Sequence, residues 1–194
     1  FYAREEYSGT NRFDMGLWED YDPQKFTLYG QDAFRKTKEY VITEAVKDIG
    51  SFSSIDFSPC VLFINGEDFG NYMLGEKFDN HYIAQKYGVD TESVMLVKDN
   101  QAVDGGTEAL RAFKRDHYFV SMHDMTDPEN YDKAAELFDL DSYIDYYAVK
   151  VYVADTDWPM KNYAVWRSDS GNSVYADGKW RWMLFDLNIG TIAD

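Results

Sequence analysis

Asp157 and Asn162 stand five positions apart in the stretch Asp155-Thr156-Asp157-Trp158-Pro159-Met160-Lys161-Asn162, and Asp186 closes the later run Lys179-Trp180-Arg181-Trp182-Met183-Leu184-Phe185-Asp186. Phosphoryl transfer requires such a set: a carboxylate to orient the acceptor hydroxyl, and oxygen ligands to hold Mg²⁺ against the phosphates, because hard cations prefer carboxylate and amide oxygen. Taken singly, Asp157 also suits a turn ahead of Pro159, and Asp186 a cap on the element that follows. Together, and in this order around a hairpin, they call for a shared explanation. Side-chain alternation puts Trp180, Trp182, Leu184 and Asp186 on one face of the last strand. Over roughly 20 Å of extended chain, Trp180 could stack on a base while Asp186 reaches the phosphates. Core packing serves a tryptophan equally well.

The elements that must position these residues are readable from spacing. Between residues 31 and 49, Phe34, Val41, Ala45, Val46 and Ile49 recur at helical spacing, and Gly50 supplies a stop. Val61 to Ile64 and Phe69 to Leu74 read as a hairpin about Asn65-Gly66, a dipeptide suited to positive φ. Asp79 or Asn80 caps a short helix reaching Tyr87, and a strand follows over residues 93–98. Thr107 is the expected cap of a helix running to about Met122, and Pro128 opens another at its first turn. A third helix is expected from about Asp141-Ser142, with Tyr143, Ile144, Tyr147 and Val151 as its apolar stripe and Pro159 forcing its end. Tyr163 to Trp166 and residues 179–186 make a second hairpin. The first thirty or so residues are weakly patterned and read as irregular. The resulting class is α+β.

With 194 residues the chain can bury a real core, as one domain or as two small lobes sharing a cleft. Acidic residues exceed basic ones by 35 to 19, a net charge of −16, which repels nucleic acid and anionic lipid and favours a basic polypeptide or a divalent cation. An aromatic content of 18% supplies flat side chains for a core and for ligand grooves alike. Cys60 is the single cysteine, so no intrachain disulfide forms. No apolar run is long enough to span a membrane, and the first residues lack the pattern of a signal peptide. The chain reads as a fragment, incomplete at both ends. His81, His117 and His123 show no zinc-ligand spacing.

Two blocks carry a family resemblance. The segment Asn65-Gly66-Glu67-Asp68-Phe69-Gly70-Asn71-Tyr72-Met73-Leu74-Gly75-Glu76 is similar to an Asn-Gly-Glu-Tyr-x-Gly-x-Tyr-x-x-x-Glu pattern. Asp157-Trp158 through Asn162, then Trp180 through Asp186-Leu187-Asn188-Ile189-Gly190, resembles Asp-Trp-x-x-x-Asn followed by Trp-Asp-x-Asp-x-x-x-Gly. Both patterns belong to the bacterial spore-coat kinase family (CotH), an atypical protein kinase family, and the resemblance runs from about residue 32 to 190, with Phe34-Arg35 opening the first helix. It implies a reduced protein-kinase-like fold of two lobes and ATP-dependent phosphorylation of serine on secreted, cell-surface or spore-coat proteins. By the same resemblance Asp157 is the base, and Asn162 and Asp186 hold Mg²⁺ (or Mn²⁺). Trp180 and Tyr72 wall the adenine, and Lys98 with Glu76 forms the phosphate-contacting pair. The protein substrate would be basic and serine-rich.

The departures are Asn188 where the family places a second aspartate, Asp155 where it often has asparagine, and the lack of an upstream Arg-Gly-x-x-Ser strand. They keep open a non-catalytic scaffold or binding module of the same fold. The abundance of Trp, Tyr and Asp keeps open a carbohydrate-binding or carbohydrate-active protein.

Overall fold

The computed structural model describes every residue except 15, 17, 19–21, 31, 32 and 188–194. The elements run α1 (Glu5–Ser8), β1 (Phe26–Tyr29), α2 (Ala33–Val46), β2 (Ser53–Ser54), β3 (Phe57–Ile64), β4 (Glu67–Glu76), α3 (Asn80–Tyr87), β5 (Met95–Lys98), β6 (Gln101–Asp104), α4 (Gly106–Met122), α5 (Pro128–Leu137), α6 (Leu140–Tyr152), β7 (Ala164–Arg167) and β8 (Arg181–Leu184). This is an α+β order, with strands in two sheets: three strands ordered β1-β4-β3, and five ordered β2-β8-β7-β5-β6. Among the described residues no helix is long and apolar enough to cross a membrane.

The expected first hairpin forms as its turn residues dictate. Asn65 and Gly66 take φ of 52° and 85°, which brings Ile64 opposite Glu67. A second tight turn escaped the sequence reading because it has no glycine: Asp99 and Asn100, at φ 47° and 65°, join β5 to β6 with Lys98 opposite Gln101. Asparagine and aspartate are the non-glycine residues that best tolerate this region. The amino-terminal stretch is likewise more ordered than its composition suggested, since β1 pairs along β4 and Tyr2 bridges to Lys25.

Helix starts shift for local reasons. Gly105, at φ 79°, is the N-cap of α4 and makes no side-chain cap, so Thr107 lies inside the first turn instead of capping it. Asp139 caps α6 by accepting from the Ser142 N–H, two residues before the predicted start. The larger correction concerns which helix faces are buried. Tyr143, Ile144, Tyr147 and Val151 are exposed, as are Val41 and Ile49, whereas Ser142, Tyr146 and Lys150 of α6 and Glu39 and Thr43 of α2 are buried. Both helices turn a partly polar face inwards, which proteins do where buried charges are paired.

Three packed clusters hold these elements. One fills the space between the sheets and α3, with Leu74, Tyr82, Ile83, Leu96, Trp166 and Met183. A second seats α4 on the five-stranded sheet through Ala109, Ala112, Phe113, Val165 and Trp180. The third joins Phe52, Tyr146, Val153, Leu184 and Leu187.

Glu76, at the end of β4, is enclosed between the sheets. Its Oε1 lies 2.7 Å from Lys86 Nζ of α3, and its Oε2 accepts from the Asp56 N–H at 2.9 Å. Burial pushes the Glu76 carboxyl up to about 7 against the pull of Lys86, while burial of Lys86 is outweighed by Glu76 and Asp56, which raise it. The acid is therefore the member of the pair that loses its charge first. An unfolded glutamate releases its proton near 4.5, so between these two values the folded state binds the extra proton and stability falls as pH rises. Thermal melts from pH 5 to 8 are expected to show Glu76→Gln gaining on the native chain across that window. A constant difference between the two would mean Glu76 is ionised throughout.

Candidate functional site

The site is assembled around Lys150. Its side chain is 0% exposed, and its Nζ donates to Asp155 Oδ2 at 2.7 Å and to the Phe185 carbonyl at 3.0 Å. Asp155 in turn accepts from the Asp157 N–H through Oδ1 at 3.2 Å, and its own N–H returns to the Lys150 carbonyl at 3.1 Å. One ammonium thus joins the loop carrying Asp157 to the segment just after β8, which carries Asp186. Burial holds Lys150 below the usual lysine range despite the nearby carboxylates Asp155, Glu39 and Asp186.

From Asp157 the chain turns tightly, with the Lys161 N–H donating to the Asp157 carbonyl at 3.0 Å. Asn162 is buried and left-handed at φ 60°, and its carbonyl accepts from the Tyr146 hydroxyl at 3.1 Å. Trp158 packs between, 4.8 Å from the Tyr147 ring and 6.2 Å from that of Tyr146. The far side of the loop is pinned to the β5–β6 turn by a reciprocal pair: the Tyr163 N–H donates to Asp99 Oδ1 at 3.2 Å, and the Asp99 N–H to the Tyr163 carbonyl at 3.1 Å. That rung delivers the end of β5, where the Lys98 ammonium stands 4.1 Å over the Phe185 ring.

Asp186 leaves β8 in the left-handed region at φ 56°. Its N–H donates to Glu39 Oε1 of α2, and its Oδ1 lies 3.2 Å from Lys36 Nζ. Lys36 also sits 2.5 Å from Glu39 Oε2 and 4.9 Å over the Tyr29 ring. Burial pulls Lys36 down, but Glu39 and Asp186 more than reverse it and raise the ammonium above its usual value.

Of the residues proposed from sequence, Asp157, Asn162, Asp186 and Lys98 are linked through Lys150, Tyr146 and Phe185. The others are elsewhere. Glu76 is paired with Lys86 and not with Lys98, because β4 belongs to the other sheet. Tyr72 lies half-buried on β4, with its ring against Gly30. Trp180 is 0% exposed, packed against Phe113 with its Nε1 donating to Asp116 Oδ2 at 3.0 Å, so no face of it is left for a base. Asn188 lies outside the described residues. Lys36, Glu39 and Lys150 were missed. The available signals were polar residues at 36, 39 and 43, spaced as one helix face, and a lone lysine in the apolar run Tyr146-Tyr147-Ala148-Val149-Lys150-Val151-Tyr152.

The donor set suits a hard cation carried with phosphates. Magnesium is commonly held by one or two carboxylates together with substrate phosphates and water, and the Asp186 side chain is 35% exposed and so reachable. Among the described residues no three of His, Cys, Asp and Glu are grouped to cage a metal alone. Beside the loop, α4, α5 and α6 enclose an aromatic groove of about 990 Å³ that Trp158, Pro159 and Asn100 border and that none of the seven residues proposed from sequence lines.

Lys150→Met is expected to lower stability by about 3–5 kcal/mol by stranding Asp155, and pairing it with Asp155→Asn should recover part of that loss in chemical denaturation. Trp180→Phe is expected to cost about 1–2 kcal/mol in chemical denaturation through the lost hydrogen bond to Asp116.

The family model for the CotH kinase protein matches residues 30–192, most of the chain, and the chain belongs to that family. No curated protein sequence matches it.

Proposed function

From membership of the CotH kinase family we propose that the chain transfers the γ-phosphoryl group of ATP to serine of a protein. In this reading its two sheets with their helices serve as the lobes of a reduced kinase-like fold, and the domain resembling the family occupies about residues 32–190. The single observation that supports it most is the Lys150 junction, which sets the Asp157 loop beside the Asp186 strand. Asp157 accepts the proton of the serine hydroxyl as the serine oxygen bonds to the γ-phosphorus. The bond from that phosphorus to the β–γ bridging oxygen breaks, and ADP leaves. Asn162 and Asp186 would hold Mg²⁺ or Mn²⁺, which when bound neutralises phosphate charge. Lys150 keeps the two segments in register, and Lys98, over Phe185, supplies positive charge at the rim. A net charge of −16 favours a basic, serine-rich acceptor. A place outside the cytoplasm, at a cell surface or in a spore coat, rests on the family alone.

The test is incorporation of labelled phosphate from ATP, with Mg²⁺ or Mn²⁺, into the chain itself or a synthetic basic serine-rich polypeptide. Asp157→Ala is expected to reduce transfer about 10²–10⁴-fold, and Asp186→Asn to abolish it. Saturation with Mg²⁺·ATP at a hundred times Kd should add about 2.7 kcal/mol of stability. Stabilisation without transfer would instead support a nucleotide-binding scaffold of the same fold, and the absence of both responses would sink the reading.

A further inference from the structure

We propose that Lys36 is the cation that contacts the nucleotide phosphates, and that it and the divalent ion compete for Asp186. The inference rests on the phosphotransfer reading and assigns it a residue of α2 in place of the Lys98–Glu76 pair. Three lysines contact Phe185 or Asp186, and they differ in what they are free to do. Lys150 is wholly enclosed, with donors committed to Asp155 and the Phe185 carbonyl. Lys98 is exposed and held over an aromatic face. Lys36 pairs with the Asp186 carboxylate, at 3.2 Å, and its side chain remains 11% exposed.

Glu39 makes this arrangement more than a surface pair. Lysine and glutamate at i and i+3 on a helix ordinarily face water and contribute little. Here the Glu39 side chain is 1% exposed, and its two oxygens are divided between the Lys36 ammonium and the Asp186 N–H. Glu39 therefore fixes the lysine and the backbone of the metal-binding aspartate relative to each other. An ammonium has three donors, so Lys36 can keep Glu39 while exchanging its Asp186 contact for a phosphate oxygen. Asp186 would hold the ion, and the phosphates carried with it would come within reach of that ammonium. Two positive charges sharing one carboxylate repel each other, so a nucleotide-bound ion on Asp186 would favour the move of Lys36 from Asp186 onto the phosphates.

The experiment compares the native chain with Lys36→Met and Lys36→Arg, after circular dichroism has established that each variant is folded. Mn²⁺ alone is titrated by electron paramagnetic resonance, and adenosine and Mg²⁺·ATP by calorimetry. Lys36→Met is expected to bind Mn²⁺ alone several-fold more tightly, because a competing positive charge is gone. It should bind Mg²⁺·ATP about 10- to 100-fold more weakly, the range for a hydrogen bond between charged groups, with adenosine affinity unchanged. Lys36→Arg should restore part of the ATP affinity. Unchanged Mn²⁺ and ATP affinities in Lys36→Met would overturn the inference. If that occurs while Asp186→Asn still abolishes transfer, Lys36 is misassigned and the phosphotransfer reading stands. If the native chain binds no nucleotide, that reading falls and takes the phosphate role of Lys36 with it.

Discussion

The arrangement depends on a lysine ammonium that has been taken entirely out of water. Desolvating Lys150 is costly, and its attraction to Asp155 offsets that cost only because the geometry is close and the Phe185 carbonyl satisfies a second donor. A buried pair of this kind is a poor source of stability compared with apolar packing, so its presence asks for another reason. The reason the geometry offers is registration. Asp155 orients the backbone of Asp157, Phe185 precedes Asp186, and a methionine in place of the lysine would hold neither.

Around that junction the protein repeats one device, a charged or hydroxyl-bearing helix face turned inwards. α6 buries Ser142, Tyr146 and Lys150, and α2 buries Glu39 and Thr43. Ser142 Oγ accepts from the Trp182 N–H at 2.9 Å, Tyr146 accounts for the Asn162 carbonyl, and Glu39 for the Asp186 N–H. Each satisfies a backbone group at the edge of the loop or strand that carries a proposed reacting side chain. Such groups would otherwise need water or a further strand. The left-handed backbone at Asn162 and Asp186 is held at the same points.

Much of this was legible in the sequence, and the failures share a cause. The Asn65-Gly66 hairpin, the α3 and α5 caps at Asp79 and Asp127, and the order helix, loop, hairpin around Asp157 and Asp186 all follow from local chemistry. Partner choice is different. Glu76 was assigned to Lys98 from the family resemblance, but which lysine meets a carboxylate depends on sheet membership, and β4 and β5 belong to different sheets. The inner faces of α2 and α6 were misread because hydrophobic periodicity assumes that apolar means buried. Where a helix buries charge in service of a site, the pattern points to the wrong side. Trp180 was ambiguous for the complementary reason: alternation gives a face of the strand but not what packs against that face, and here α4 does, through Phe113 and Asp116.

The reciprocal bonds between Asp99 and Tyr163 have a mechanical effect. They clip the tip of the β5–β6 hairpin to the residue that follows Asn162, and Asn100 at that tip also borders the aromatic groove. The hairpin thereby has its tip at the groove and its clasp beside a proposed cation ligand. Asn100 in the groove wall and the peptide joining Asn162 to Tyr163 are therefore separated by one residue, Asp99, and its two hydrogen bonds.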